Sequence, residues 1–180
     1  MIQIPIELNG GILPTRGSRY AAAYDVYCPQ DFELTKQRNI VPLGFCIGLP
    51  LDWKANIRPR SGFSAKGFEV EIRTTYRRYS GETYTTAEKA RIDADVLIGL
   101  VDGDYRDEVG VMVKCYSLAY IAKQKYEFDT IVENHIIIPK GTRFAQMEIC
   151  GNGESYELVQ VDGIDRDVDR GGGFGHTGTR

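Results

Sequence analysis

A cluster of acidic residues lies between two apolar segments near the middle of the chain. Asp102, Asp104 and Asp107 fall between residues 96–98 and 109–113, which are rich in Val, Leu and Ile. The stretch predicts a β-hairpin. A carboxylate held there could position a water molecule and accept its proton, as a general base does. Taken alone, the stretch fits ordinary turn residues better, because Asp side chains often hydrogen-bond their own backbone in turns.

A second pattern with chemical potential begins at Arg60. Residues 61–66 predict a short helix, with Ser61 as its N-cap and Gly67 just past its end. A helix start offers free backbone N–H groups, Gly62 permits a close approach, and Arg60 adds charged donors. The pattern is typical of a phosphate site; the alternative is a plain capped helix with a surface arginine.

Length and charge limit the classes of protein to consider. The 180 residues fit one domain, and the net charge of −3 argues against a nucleic-acid backbone as the main partner. The four cysteines have neither zinc-type spacing nor the density of a disulfide framework, so we expect free thiols. We also expect no signal peptide and no membrane span, and therefore a cytoplasmic protein, or one of the host cytoplasm if it is viral.

The elements that must position these residues are predicted to be strands. The chain has 20 glycines, 7 prolines and 11 tyrosines, and short Val/Ile segments alternate with turn residues. This composition predicts an all-β sandwich or barrel with one short helix. The predicted strands are residues 2–8, 25–27, 39–47, 53–58, 70–76, 96–101, 109–116, 133–138, 143–150 and 157–161.

Five short blocks resemble, in order, those of the trimeric dUTP pyrophosphatases (dUTPases). The blocks are residues 22–26 (AAYDV), 58–67 (RPRSGFSAKG), 102–106 (DGDYR), 140–146 (KGTRFAQ) and 170–178 (RGGGFGHTG). A single block would be weak evidence, whereas five in the same order are specific. The resemblance implies a jelly-roll-like β-barrel that assembles as a homotrimer. Each active site would take its first, second and fourth blocks from one chain, the hairpin from a neighbour and the tail from the third.

The resemblance also implies a reaction and a role for each block. The reaction would be hydrolysis of dUTP to dUMP and pyrophosphate with Mg²⁺, with Asp102 as the base that activates water. Asp25 would face the magnesium-bound triphosphate through water. Backbone groups of Gly99 and Leu100 would pair with uracil, and Tyr105 would pack against the deoxyribose. The implied phosphate contacts in the second and fourth blocks are Arg60, Ser61, Gly62 and Gln146.

The glycine-rich tail, residues 165–180, is predicted to be flexible and to close over the substrate. By resemblance, Phe174 would stack on uracil and Arg170 would bind the γ-phosphate. His176 and Thr177 would contact the phosphates. The spacing from Arg170 to Phe174 is one residue shorter than in the family. Arg170 therefore matches the family pattern less closely than the other assigned residues do.

Residues 73–95 depart from the family. Most members join the flanking blocks by a connection shorter by roughly twenty residues, and strand-forming residues here flank a turn at 80–82, so we predict an inserted hairpin arm. Two alternatives to a dUTPase stay open. One is a dCTP deaminase, or a bifunctional deaminase of the same fold. The other is a dUTP-sensing regulator that binds a partner protein through this arm.

Overall fold

A computed structural model describes residues 1–117, 129–169 and 171–172. Within these ranges the chain forms fourteen strands and one short helix, which confirms the predicted all-β class. The strands are β1 (Ile2–Leu8), β2 (Thr15–Arg16), β3 (Tyr24–Tyr27), β4 (Phe32–Glu33), β5 (Arg38–Pro42), β6 (Phe45–Ile47), β7 (Lys54–Pro59), β8 (Phe68–Arg77), β9 (Thr83–Val96), β10 (Gly99–Asp102), β11 (Gly110–Ser117), β12 (Thr130–Ile138), β13 (Arg143–Cys150) and β14 (Tyr156–Val161); the helix is α1 (Ser61–Lys66).

The strands form three sheets that together make a jelly-roll-like barrel. The smallest has the order β14-β1-β6, the second β10-β7-β13-β3-β2, and the largest β4-β12-β8-β9-β11-β5. Most neighbours are antiparallel, while β1 and β14 pair in parallel. Strands that are distant in sequence therefore lie side by side, and the middle sheet brings the first, second and fourth blocks together.

Alternating burial explains why these segments are strands. In β8 every second residue is buried, and in β13 burial alternates in the same way from Ala145 to Cys150. Such strands place one row of side chains in the core and the other toward the outside. The largest fully buried side chains include Phe45, Phe68, Phe144 and Met147. The core thus fixes the sheets on which the candidate site residues lie.

Two predicted strands are each divided in the structure. The predicted strand 39–47 is split into β5 and β6, because Gly44 between them adopts a positive φ of 68° that a strand residue does not adopt. The predicted strand 96–101 is split between two sheets: β9 ends at Val96 in the largest sheet, and β10 begins at Gly99 in the middle one.

The central hairpin prediction is right at its base and wrong at its tip. Val96 pairs with Val113, and the Leu97 N–H donates to the Met112 carbonyl at 2.8 Å. Beyond this point β10 pairs with β7 rather than with β11. The segment is therefore a wide loop whose first half is recruited to a different sheet.

The predicted arm residues lie in a long two-stranded ladder. β8 and β9 pair without a break from Phe68 with Ile92 to Arg77 with Thr83. β8 also pairs with β12, and the end of β9 pairs with β11, so the ladder is continuous with the largest sheet. Whether residues 73–95 are an insertion relative to the family stays a prediction.

Helix α1 has the predicted bounds, but Ser61 is not its cap. The N-cap is Arg60, and no side chain forms a cap hydrogen bond there. Ser61 is instead the first helical residue. Gly67 follows the helix with φ of 86°, as its predicted position requires. This is the one helix among the described residues, and it is too short to cross a membrane.

All four cysteines are free thiols, as predicted. Three of them are buried, and burial raises the pKa of Cys28 to about 11. Burial also raises the pKa of Cys46 and Cys115, so these three thiols stay protonated at neutral pH and behave as small apolar side chains.

Candidate functional site

The buried carboxylate of Asp25 is the centre of a cluster of charged side chains. In the ladder, Gln146 of β13 lies opposite both Asp25 of β3 and Arg58 of β7. Arg60 Nε lies 3.1 Å from Asp25 Oδ1, and Arg143 Nη1 lies 3.3 Å from Oδ2. Gln146 Nε2 donates to Oδ1 at 3.4 Å. The structure therefore brings together the predicted residues Asp25, Arg60 and Gln146, and Arg143 joins them as an ion-pair partner of Asp25.

Arg60 connects this cluster to the start of α1. Its Nη1 donates to the Arg143 carbonyl at 2.8 Å, which holds the side chain along the sheet. Its buried Nε lies near Asp25 yet makes no aligned hydrogen bond. A buried N–H in this condition costs free energy unless a ligand or water accepts from it.

Arg60 also lines a cleft of about 250 Å³ together with Ser61, Gly62 and Gln146. The four predicted phosphate-binding residues of the second and fourth blocks therefore share this cleft, the candidate phosphate cleft. It contains in addition residues that the sequence analysis did not single out: Phe63, Lys66, Gly67, Glu69 and Arg91. Lys89 and Arg91 of β9 lie opposite Glu71 and Glu69 of β8, an arrangement of opposite charges that is typical of paired strands. Nothing in the sequence, however, places Glu69 and Arg91 beside the helix.

Asp102 lies in a different and larger cleft. This cleft, of about 730 Å³, is lined by Leu51, Asp52, Trp53, Lys54, Asp102, Gly103, Asp104, Cys150, Gly151 and Asn152. Asp102 is half-buried at the end of β10, and its carbonyl accepts from the Tyr105 N–H at 3.1 Å. The candidate base is thus exposed to a space large enough for part of a nucleotide.

Gly99 and Leu100 belong to an edge strand. β10 is the outermost strand of the middle sheet, with β7 on its inner side. An edge strand presents backbone N–H and C=O groups that its own sheet does not pair. Leu100 is 57% exposed, so this part of the edge lies at the surface of the chain. These backbone groups can form hydrogen bonds with the polar edge of a nucleotide base.

Tyr105 and Arg106 are buried and form the framework of the loop. The Tyr105 hydroxyl donates to the Glu108 carbonyl at 2.8 Å. Arg106 donates to four carbonyls, those of Gly103, Tyr105, Leu49 and Asp165, at 2.7 to 3.2 Å. Arg106 therefore holds the loop in place, and it also ties the loop to the start of the tail at Asp165.

The register of the middle sheet separates the two clefts. Asp102 lies opposite Lys54 at the start of β7, whereas Arg60 follows the end of that strand. Six residues along a strand cover about 20 Å. The base candidate of one chain is therefore remote from the phosphate cleft of the same chain.

The carboxylate of Asp25 is the group available to a metal ion that arrives with phosphates. Among the described residues, no three His, Cys, Asp or Glu side chains form a group able to hold an ion. Asp25 offers hard carboxylate oxygens, and Mg²⁺ commonly binds through one or two carboxylates, retained waters and substrate phosphates. The donor set therefore fits Mg²⁺ bound through water better than a protein cage.

The tail residues Arg170, Phe174, His176 and Thr177 lie outside the described residues. The described residues on either side of Arg170 contact other parts of the same chain. Arg166 Nη2 lies 2.8 Å from Glu7 Oε2, and the Gly172 N–H donates to Asp107 at 3.1 Å. The backbone N–H of Ile164 and the Arg166 guanidinium both lower the pKa of Glu7. The tail therefore starts beside the loop that carries Asp102.

Comparisons with known proteins agree with this geometry. The dUTPase family model matches residues 9–87. Over 167 residues the chain is 33% identical to the human mitochondrial deoxyuridine 5'-triphosphate nucleotidohydrolase, covering 92% of this chain but 50% of the human protein. It is 32% identical to the mouse protein of the same name, covering 92% of this chain and 77% of that one. The chain thus spans half the length of the human relative.

A solved structure agrees as well. A mutant dUTPase from phage phi11 of S. aureus aligns with a TM-score of 0.56 and 17% identity over 88% of this chain and 96% of that one. That structure is described as showing the coordination of a structural Mg(II) ion. At this level of identity the likeness supports the fold.

Proposed function

The chain belongs to the dUTPase family, and on this premise we propose that it hydrolyses dUTP to dUMP and pyrophosphate. The observation that carries the proposal is the division of the site residues between two clefts about 20 Å apart along β7. One cleft has cationic and amide donors suited to a phosphate chain. The other has a carboxylate beside an exposed sheet edge.

In the proposed mechanism, Asp102 holds a water molecule in line with the α-phosphorus. Its carboxylate takes a proton as the water oxygen bonds to phosphorus, and the bond from phosphorus to the oxygen bridging toward the β-phosphate breaks, so that pyrophosphate leaves. Arg60, Ser61, Gly62 and Gln146 hold the phosphates in place. Their contribution is to align the reacting atoms and to offset charge that develops in the transition state.

Mg²⁺ is the proposed cofactor, and Asp25 would contact it through water. The ion would offset charge on the triphosphate. The protein's part is to hold Asp25 in place: Arg60, Arg143 and Gln146 all contact this buried carboxylate, which fixes its orientation before substrate arrives. A fixed carboxylate loses little entropy when the ion's water shell binds to it.

We propose a homotrimer in which neighbouring chains complete each site. The distance between the two clefts argues that Asp102 of one chain serves the phosphate cleft of another. The tail of the third chain would then close the site, with Phe174 on the uracil and with Arg170, His176 and Thr177 on the phosphates. The tail's anchoring near Asp107 sets where it leaves its own chain.

Selectivity for uracil would come from the edge of β10. Backbone groups at Gly99 and Leu100 would pair with the uracil rim, and the methyl group of thymine would meet the loop backbone. Tyr105 would lie against the deoxyribose and exclude a 2′-hydroxyl. Fixed hydrogen-bond groups that a wrong base leaves unpaired discriminate strongly.

The decisive experiment is pyrophosphate release with dUTP, dTTP, dCTP and UTP in the presence of Mg²⁺. We expect dUTP to be turned over at least about a hundredfold faster than the others. A site that recognises its base by hydrogen bonds discriminates strongly against a base whose donors and acceptors do not match. Comparable rates on all four nucleotides would refute the uracil site at β10. Ammonia release from dCTP would instead indicate the deaminase alternative, which the family comparisons do not favour.

The second candidate function is regulation of a partner protein that binds residues 73–95. The ladder formed by β8 and β9 ends in a turn at which Tyr79 is almost fully exposed. Shortening this turn separates the two functions, because an enzyme that still assembles keeps its turnover whereas a regulator loses its partner protein.

A further inference from the structure

Arg91 of β9 lies in the phosphate cleft, although it belongs to none of the five blocks. It lines the cleft beside Arg60, Ser61 and Gln146. It also falls within residues 73–95, the segment predicted to be an insertion. This segment therefore adds to the cleft a cation that none of the five blocks supplies.

Aromatic packing brings Arg91 to this place. Phe63 of α1 stacks on Phe68 of β8, with ring centroids 4.8 Å apart and an interplanar angle of 18°. Phe68 is fully buried and lies opposite Ile92 of β9. The helix is thus fixed over the first residues of β8 and the facing residues of β9, which include Arg91.

Gly67 allows this close approach. A Cβ atom at Gly67 would lie 3.2 Å from the Ile92 carbonyl and 3.6 Å from the Arg91 Cβ, and the residue has φ of 86°. A side chain would have to displace backbone of β9. With glycine, the end of α1 contacts the strand directly, and Arg91 becomes a wall of the cleft.

The charge of Arg91 is less engaged than that of its neighbours. Arg60 contacts Asp25 and donates to a carbonyl, and Arg58 lies 2.8 Å from Glu148. The contact of Arg91 Nη2 with Glu69 is longer, at 3.8 Å, and both side chains are about half exposed. Long, exposed ion pairs are weak, so this contact can be exchanged for a phosphate at little cost.

The cleft as a whole favours an anion with several charges. Arg60, Lys66 and Arg91 face one carboxylate, Glu69, among the residues that line it. A guanidinium presents paired N–H groups that match phosphate oxygens. Three cations minus one carboxylate leave a net charge of +2 on the lining, before the pairing of Arg60 with Asp25, and this charge favours a phosphate group.

We propose that Arg91 binds the phosphates of dUTP that leave as pyrophosphate, as a substrate-binding residue outside the five blocks. The inference rests on the proposed function.

The test compares Arg91→Ala with wild type in steady-state kinetics and in binding. We expect the KM for dUTP to rise about tenfold with kcat changed by less than about twofold, because a contact made equally in ground and transition states affects binding alone. Affinity for the non-hydrolysable imido analogue of dUTP should fall by the same factor. Affinity for dUMP should not change, since dUMP lacks the leaving phosphates.

Three further variants serve as controls. Lys89→Ala removes a cation from the same face of β9, two residues farther from the helix, and should leave all constants unchanged. Arg91→Lys should bind more tightly than Arg91→Ala, because it keeps the positive charge. It should still bind more weakly than wild type, because it lacks the paired N–H groups of a guanidinium. Glu69→Gln should tighten binding of the analogue, because it frees Arg91. Equal effects of Arg91→Ala and Lys89→Ala, or an equal loss of dUMP affinity, would overturn the inference.

Binding of inorganic tripolyphosphate keeps this inference distinct from the proposed function. If the wild type does not hydrolyse dUTP but Arg91→Ala still weakens tripolyphosphate binding, the proposed function fails and the assignment of Arg91 stands. If dUTP is hydrolysed and Arg91→Ala changes neither tripolyphosphate binding nor the KM, the assignment of Arg91 fails and the proposed function stands.

Discussion

Asp102 lies opposite Lys54 in the antiparallel ladder between β10 and β7. This pairing fixes Asp102 at the end of the middle sheet that is remote from Arg60. Strand registers are stiff, because a shift of one residue would turn every side chain to the opposite face. The separation is therefore a property of the fold, and under the proposed function a neighbouring chain would bring Asp102 to the phosphates.

Complementation between two inactive variants tests this division. Asp102→Asn and Arg60→Ala should each remove most turnover of dUTP on their own. In trimers assembled from an equal mixture, about a quarter of the sites should combine two intact clefts and regain activity, because chains mix at random in a symmetric assembly. Mass measurement of intact complexes verifies the mixing. If mixed trimers form and no activity returns, the whole site lies within one chain.

Replacing Asp102 alone tests its chemical role. Asp102→Asn keeps the shape and loses the proton acceptor, so kcat should fall by about 10² to 10⁴ while the imido analogue of dUTP still binds. Asp104→Asn is the matched control, since Asp104 lines the same cleft two residues away and has no assigned chemical step. If Asp102→Asn retained turnover while Asp104→Asn lost it, the base would be Asp104.

The sequence predicts individual strands better than their partners. The bounds of β1, β13 and α1 follow from alternating burial and from the glycine after the helix. The pairing of β10 with β7 was not predictable in this way, because periodicity reports which face is buried and not which strand lies alongside. The two apolar segments around Asp102 therefore suggested a simple hairpin, while the middle sheet takes the first half of it.

The candidate site shows the same limit. Resemblance pointed to Asp25, Arg60 and Gln146, and the ladder between β3, β13 and β7 brings them together. Arg91 was missed, because its position depends on the stacking of Phe63 and on the approach of α1 to β9. Contacts between distant elements arise from tertiary packing and leave no short pattern in the chain.

Arg106 is expected to stabilise the loop that carries Asp102. Arg106→Ala would leave buried carbonyls without donors, so the free energy of unfolding should fall by about 2 to 4 kcal/mol. Arg78→Ala is the control, because Arg78 pairs with Glu82 at an exposed turn and should cost about 0.5 kcal/mol or less. Urea unfolding monitored by circular dichroism measures both. Equal losses in the two variants would mean that the carbonyls around Arg106 find water instead.

His135 is expected to make the contact between β12 and β4 sensitive to pH. Its Nδ1 lies 2.7 Å from Glu33, and this carboxylate is the main cause that raises the pKa of His135 above 6.5. Since the folded pKa is the higher one, the added stability is fully present below pH 6.5 and disappears as pH rises through the folded value. Both side chains are exposed, so the effect should be about a few tenths of a kcal/mol.

An NMR titration of the histidine ring measures this shift directly. The chain has two histidines, and His135→Gln assigns the resonance by removing it. Glu33→Gln should return the pKa of His135 toward its ordinary value, whereas Glu82→Gln, at the distant turn of the β8–β9 ladder, should leave it unchanged. A pKa that stays raised in Glu33→Gln would assign the shift to Glu133, which lies 3.5 Å from the other ring nitrogen.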